Sequence, residues 1–562
     1  MPGKPIVPSL SVSSFGIGVP GTITRSFPVG RSNFFRINEG QKLHLEVDFV
    51  KSHKKASVAL FTNLNNNPNG WHEVPFRYVS SHKFMLDINC SKPGRYCFKV
   101  KYTMDGQKWA WDCVPFSYVM VDPLLLSNIK TYTLVTSSAG SIGDWTKILP
   151  HVRELDCNVL HLLPVTRMGA TEAPYAAKDL FSIDPAYLDP ASKDEGMTQF
   201  SRFADEAAKL DIHLCIDLVF NHVSDDSNIA RLCPEWIQPD EKEADGFRRA
   251  GWQAGEKWYK WEDLVLLDYE HPNARVRKDL WNYMCHYGIF WAEFAARTKG
   301  MIRLDNLHSS NHAFMNYVLG EIRETYPDII FFAELFTDTA KSSELVWDFG
   351  LDLMLATPWE HHFVPQLRGY LAEVHRRDKQ TSHVLPITSH DSGTPAQEFG
   401  SVESTVPRYV ISALMGCGAT GLVQGVEYGL PQKIHLVGIK PAPEYTTGLN
   451  FTPFIAKINR IMDENSVFQR GDNIKFLDNG HDAIIAAYRF DEEKRCSEFI
   501  VLCNFDTFKP QSISIDLNDH IPGANIKFLE DLLTEKNITP SNGSIEITMQ
   551  PCSAMVLRLI MG

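Results

Sequence analysis

Four short apolar runs in this chain each end in polar residues of the kinds that move protons or hold charge: Asp217 with Asn221 and His222, Arg303 with Asp305, Glu334, and His390 with Asp391. Taken singly none is diagnostic, because a carboxylate at a strand end is more often a helix cap or a solvated ion-pair partner. Taken together they could perform glycoside chemistry. Cleavage of an acetal with retention needs two carboxyl groups about 5 to 5.5 Å apart, one attacking the anomeric carbon and the other protonating the leaving oxygen. Arg303 stands two residues before Asp305, on the same side of an extended strand, where a charge-assisted bond can hold Asp305 ionised as a nucleophile. Glu334 is flanked by Phe332, Leu335 and Phe336. Such an apolar setting, with anions nearby at Asp305 and Asp391, would disfavour its charged form, as a general acid requires.

These residues are far apart in the chain and need a scaffold to gather them. Between about residues 130 and 465 the texture is apolar strands followed by amphipathic helices: TYTLVT, CNVLHLLP, IHLCIDLVF, GMIRLDN, DIIFFAELF, LDLMLA, HVLPITSHD and ATGLVQG supply eight strands. Eight strands alternating with helices predict a (β/α)8 TIM barrel, an α/β fold whose sites lie at the C-terminal face of the parallel strands. The polar clusters then converge on one face, and strands four and five are neighbours, which lets Asp305 and Glu334 approach each other.

The reading assigns 1–122 to an N-terminal β-sandwich domain, 123–471 to the catalytic barrel and 472–562 to a C-terminal antiparallel β domain. Runs such as KLHLEVDFV, KFMLDIN and GRYCFKVKY alternate as half-buried strands do, and alternation returns in EFIVLCNF, SISIDL and AMVLRLI. The interval 223–270, rich in Trp, Pro and charge, is too irregular for a simple connection and reads as an inserted subdomain after strand three.

Composition narrows the partners. A formal charge of −13 without a basic run disfavours nucleic acid. The start MPGKPIVPSL has no charged leader with an apolar core, and no apolar stretch is long enough to span a bilayer, so the expectation is a cytoplasmic protein without a membrane partner. Eleven scattered cysteines imply neither a disulfide framework nor a zinc site. No glycine-rich phosphate loop or metal cluster appears, so no cofactor is expected. Oligomeric state is not legible.

The four segments DLVFNH (217–222), MIRLDN (301–306), FFAEL (331–335) and TSHDS (388–392) resemble, in order and spacing, the four motifs of the α-amylase family, glycoside hydrolase family 13. The resemblance implies a retaining enzyme of α-glucans such as glycogen, starch or maltooligosaccharides. By position it implies Asp305 as nucleophile, Glu334 as general acid/base and Asp391 as the carboxylate that stabilises the distorted sugar. Arg303, His222 and His390 would contact that sugar, Asp217 and Asn221 would brace the site, and Tyr175 in EAPYAAKD resembles the tyrosine that stacks on it. In many relatives the residue matching Asn221 helps bind a structural calcium, but no oxygen-rich loop of recognisable spacing lies between 223 and 270, so metal stays open.

Departures from the pattern narrow the subfamily. Ser389 stands where many members have Asn, and the second motif continues Asn306, Leu307, His308, Ser309, positions that tend to touch the leaving-group side. DNLHSS followed by AELFT is similar to the glucanotransferase part of glycogen debranching enzymes and tilts the expectation toward transfer. Size and the N-terminal sandwich also resemble maltosyltransferases that use maltose 1-phosphate, but those replace the first-motif Asn-His and the fourth-motif His; Asn221, His222 and His390 count against that reading. A non-catalytic glucan-binding relative, or an enzyme of a small α-glucoside, are the alternatives. Trp252, Trp258 and Trp261 of the insertion either wall the cleft or form a small local core. Trp71, Trp109 and Trp111 could form a glucan-stacking platform, yet half-buried sandwich tryptophans are commoner, and no second site is assigned.

Overall fold

The computed structural model describes residues 25–29, 32–49, 55–67, 69–80, 83–112, 116–254, 257–378, 380–478, 480–491, 498–521 and 525–562. The segment MPGKPIVPSL, read above for a leader, lies outside the described residues. Two compact units divide the chain, Met1–Leu124 and Leu125–Gly562. Among the described residues no helix is long and apolar enough to cross a membrane, and the nine described cysteines are all free.

The first unit is a seven-stranded sheet and a three-stranded sheet. Successive side chains of a strand point to opposite faces, so Leu43, Leu45 and Val47 of Lys42–Asp48 fall on one side, as do Tyr96, Phe98 and Val100 of Gly94–Thr103. These residues meet Val58, Leu60 and Val119 in one core.

The second unit is built on a closed barrel: β1 (Ile129–Leu134), β2 (Val159–Leu162), β3 (His213–Leu218), β4 (Met301–Leu304), β5 (Ile330–Ala333), β6 (Leu353–Leu355), β7 (Ser382–Pro386) and β8 (Ala419–Val423), hydrogen-bonded in that order. All eight strands expected from the sequence are in place. Helices cover the outside by the stripe they bury: Gly196–Lys209 turns Phe200, Phe203, Ala204 and Ala207 inward, the i, i+3, i+4, i+7 spacing of one helical face.

Strand parity explains why the site forms at one end. Val159, Cys215, Met301, Ile330, Leu353, Val384 and Ala419 pack together as the apolar floor inside the barrel. Two residues further toward the strand C-termini, the same inward parity carries Val159 to His161, Cys215 to Asp217 and Met301 to Arg303. The register reinforces this, pairing Asp217 with Arg303 across β3 and β4.

Two excursions leave the barrel. Between β2 and β3 a hairpin, Thr166–Met168 with Ala177–Ile183, carries Tyr175 in its loop; the sequence pattern did not reveal it. After β3, within the interval expected as an insertion, His222–Ser224, Arg249–Ala254 and Lys257–Leu266 form a three-stranded sheet.

The C-terminal strands form a six-stranded and a two-stranded sheet. Ile484, Ala486, Ile500 and Leu502 face a core of their own, while Ile485, Ala487, Val501 and Cys503 join the core of the barrel. Arg489, fully buried, donates to the carbonyls of Leu414, Gly416, Val467 and Arg470 and pins this sheet to the barrel's last turn.

Candidate active site

Arg303 organises the mouth of the barrel. Its Nη1 donates to Asp217 Oδ1 and Oδ2 at 2.9 and 2.8 Å and to Asp305 Oδ1 at 2.8 Å, and its Nη2 lies 2.7 Å from Glu334 Oε1. Arg303, Asp217, Asp305 and Glu334 are 2, 1, 6 and 5% exposed, so one cation and three carboxyl groups share a site nearly free of solvent. Taking such charges out of water costs several kcal/mol each unless partners replace the lost hydration. The partners are present. Asn306 adopts φ 45°, a left-handed turn that asparagine tolerates, and its backbone N–H donates to Glu334 Oε2 at 2.9 Å. The turn ends at Asn311, whose side chain accepts the Phe314 N–H and starts the helix His312–Thr325.

Tyr175 reaches in from the hairpin after β2. Its hydroxyl donates to Asp217 Oδ2 at 2.7 Å and lies 2.8 Å from His390 Nε2, and its ring stacks on His390 with centroids 5.9 Å apart and planes 7° apart. His390 Nε2 in turn lies 3.1 Å from Asp391 Oδ2. Asp391 is the exposed member at the rim, held by its backbone: its N–H donates to Ser389 Oγ and its carbonyl accepts Lys433 Nζ at 2.7 Å. Six sequence-predicted residues besides Arg303 therefore join one connected network: Asp217, Tyr175, Asp305, Glu334, His390 and Asp391.

His222 is buried beside Trp261, ring centroids 6.1 Å apart, and neither ring nitrogen makes a hydrogen bond of normal geometry. Burial lowers its pKa to about 4, against the Tyr175 backbone and the Asp263 charge, and keeps the imidazole neutral. Asn221 donates to Ser309 Oγ at 3.0 Å, bracing the turn after β4, and its buried Oδ1 has no partner. Among the described residues no group of three or more His, Cys, Asp or Glu side chains is placed to hold a metal. His308 lies outside the Arg303 network, exposed at the rim with its ring centroid 6.1 Å from that of Phe336.

The electrostatics differ from the sequence expectation in one respect. Burial would raise Asp217, but Arg303 and His161 hold it down at about 2. Asp305 moves the other way: burial lifts its carboxyl well above the ordinary range, Arg303 opposes the rise, and Glu334, Asp217 and Asp391 reinforce it. The sequence reading had Arg303 hold Asp305 ionised; in the folded protein Arg303 is shared with Asp217 and Glu334, and burial outweighs it at Asp305.

Three contributors escaped sequence reasoning. His161, 4% exposed on β2, sits between Thr133 Oγ1 at 3.1 Å and Asp217 Oδ2 at 3.3 Å; a lone histidine in the otherwise apolar CNVLHLLP was its only signal. Asn306 was noted as a motif departure rather than as the donor to Glu334. Lys433 comes from a loop after β8 with no recognisable pattern. In the insertion, Trp261 meets His222, while Trp258, 52% exposed, lines a cavity of about 550 Å³ with Asn221, Arg248, Glu270 and Asn311.

A closed parallel (β/α)8 barrel thus carries a buried Arg–carboxylate cluster at its C-terminal mouth. Solved structures share this fold: the α-amylase of Geobacillus thermoleovorans matches with a TM-score of 0.61 at 15% identity over 77% of this chain and 99% of that one, and a cyclomaltodextrinase with 0.61 at 14% over 92% and 97%. Residues 122–238 match the model of the glycogen debranching enzyme, glucanotransferase domain. The α-1,4-glucan:maltose-1-phosphate maltosyltransferase of Picrophilus torridus is 25% identical over 430 residues, 71% of this chain and 64% of that protein; its counterpart from Salinibacter ruber is 24% identical over 62% and 54%. The chain spans less than two thirds of the length of these relatives. The chain is thus similar over residues 122–238 to the glucanotransferase domain of glycogen debranching enzymes, and its barrel has the fold of solved α-amylases.

Proposed function

We propose that the protein is a retaining enzyme that cleaves α-1,4-glucosidic bonds of glycogen, starch or maltooligosaccharides and passes the glycone to water or to another sugar. The observation that carries this reading is the single guanidinium of Arg303, with Asp305 on Nη1 at 2.8 Å and Glu334 on Nη2 at 2.7 Å. That bracket holds two carboxyl groups side by side at the open end of the barrel, the arrangement a double displacement needs. Asp305 attacks the anomeric carbon while Glu334 protonates the departing glycosidic oxygen. Glu334 then takes a proton from water or an acceptor hydroxyl, whose oxygen displaces Asp305.

One cation among three carboxyl groups leaves negative charge in excess, so the cluster keeps a proton above the ordinary carboxylate range. Before sugar binds, burial favours that proton on Asp305. Positive charge developing on the sugar ring favours the Asp305 anion, which leaves the proton to Glu334 for the leaving group. His222, neutral and with both ring nitrogens unpaired, suits sugar hydroxyls, and Asp391 beside His390 faces the rim where a ring would enter.

The debranching glucanotransferase match and the relatives named maltosyltransferases support transfer over hydrolysis. Incubation with maltoheptaose tests both levels. Chains longer and shorter than the substrate mean transfer, and only shorter ones mean hydrolysis. Asp305→Asn is expected to abolish both with glucan affinity retained. A parent protein that turns over no α-glucan removes the reading and leaves a non-catalytic glucan-binding protein.

A further inference from the structure

The outer face of the seven-stranded sheet in the first unit carries an aromatic surface that the barrel's chemistry does not use. Register puts its members on one side. Phe61 pairs with Lys99 and with Glu73 across neighbouring strands, and Lys101 pairs with Trp111 and Thr103 with Trp109. The even-numbered neighbours Leu60, Val100 and Tyr102 point into the sandwich core.

The rings form one connected group. Phe61 stacks on Trp71 with centroids 4.8 Å apart and planes 16° apart, Trp111 meets Phe61 edge-on at 5.5 Å, and Phe116 meets Trp71 at 5.5 Å. Lys101 Nζ lies 4.8 Å from the Trp109 ring and pairs with Glu73, and Lys99 Nζ lies 5.7 Å from the ring of Phe116. Trp71, Trp109, Trp111 and Phe116 are 37, 48, 51 and 37% exposed, so these tryptophans are half-buried as expected but turn their open half to solvent on the side away from the sandwich core.

Exposing this much flat aromatic area loses the stabilisation that burial would provide, which marks a binding face. Its chemistry selects the partner. Cores of protein–protein interfaces are depleted in Lys and Glu. Here Lys99, Lys101 and Glu73 stand among the rings, and among the described residues of this unit no exposed Ile or Met joins them. Flat rings bordered by hydrogen-bonding side chains suit a ligand with apolar C–H faces and a rim of hydroxyls.

We infer that this face is a second glucan-binding site, with Trp71, Trp109 and Trp111 as the stacking platform and Lys99, Lys101 and Glu73 as hydroxyl partners for an α-glucan chain. The choice of an α-glucan rests on the function proposed for the barrel. The site holds polysaccharide independently of the barrel mouth and raises the local concentration of chain ends.

The test uses the full chain in native gels cast with glycogen or amylopectin, beside maltoheptaose turnover. Wild type is expected to be retarded. The double variant Trp109→Ala/Trp111→Ala is expected to lose affinity by about tenfold or more, the scale of a truncated aromatic anchor, while its maltoheptaose turnover stays near wild type. Trp111→Phe keeps a flat ring and is expected to keep most of the retardation, which separates stacking from damage to the fold. Unchanged retardation of the double variant overturns the inference. So does a wild type that neither polysaccharide retards, even if it turns over maltoheptaose, in which case the barrel reading stands and the face is left to a protein. Retardation lost on mutation in a chain that turns over nothing keeps the platform and removes the barrel reading.

Discussion

The mouth of the barrel and the outer face of the N-terminal sandwich treat solvent in opposite ways. At the mouth, charge is buried: Arg303, Asp217, Asp305 and Glu334 are each at most 6% exposed, and burial in a low-dielectric setting strengthens their interactions. On the sandwich, apolar area is exposed, and Trp109 and Trp111 keep about half their surface in solvent. The first arrangement ties function to the stability of the fold. The second leaves them separable, so mutations should treat the two regions differently.

The largest effect is expected at the cation. Arg303→Met leaves three buried carboxyl groups without their counter-ion, a change that costs roughly 3 to 5 kcal/mol when a buried pair loses one member. Thermal unfolding should show the loss, and turnover of maltoheptaose should vanish with it. Asp305→Asn sharpens the comparison from within the mouth. It should reduce turnover on the order of 10⁴-fold or more while thermal stability holds or rises, because burial disfavours the charge that the amide lacks. A large fall in melting temperature for Asp305→Asn would mean that the carboxylate is structural.

Acid should distinguish the regions next. His222, lowered to about 4, stays neutral in the folded protein at pH values where the unfolded chain, near 6.5, already binds a proton. The unfolded state therefore gains protons first, and stability is expected to fall by roughly 3 kcal/mol from this group as pH drops from about 6.5 to 4. Asp217, depressed to about 2, contributes stability that is present above its ordinary value and lost as pH falls toward 2. Urea unfolding of His222→Gln against wild type at pH 7 and pH 4.5 should show a smaller acid penalty in the variant; equal penalties would contradict the buried, neutral imidazole. The smallest effect is expected on the sandwich, where Trp111→Ala should change unfolding free energy by no more than about 0.5 kcal/mol, as exposed substitutions do.

Much of the barrel was legible because its determinants are local. Inward parity runs through Cys215, Asp217, Met301, Arg303 and Asp305, and helical stripes such as Phe200, Phe203 and Ala207 repeat within a few residues. The hairpin bearing Tyr175 was not legible: Thr166–Met168 is too short for a pattern, and its pairing with Ala177–Ile183 is irregular in register. Tyr175 itself was found through its motif, whereas its bond to Asp217 and its stacking on His390 depend on where that hairpin folds back.

By itself the sequence determined the alternation of strands and helices and the convergence of Asp305, Glu334 and Asp391 at one end of the barrel, because side-chain direction along a strand follows from backbone geometry alone. Tertiary structure decided which groups share Arg303, why burial lifts Asp305, that His161 and Lys433 support the site, and that Trp109 and Trp111 face solvent. Those outcomes depend on desolvation and on distances between residues remote in the chain. Neither quantity exists until the whole fold has closed around them.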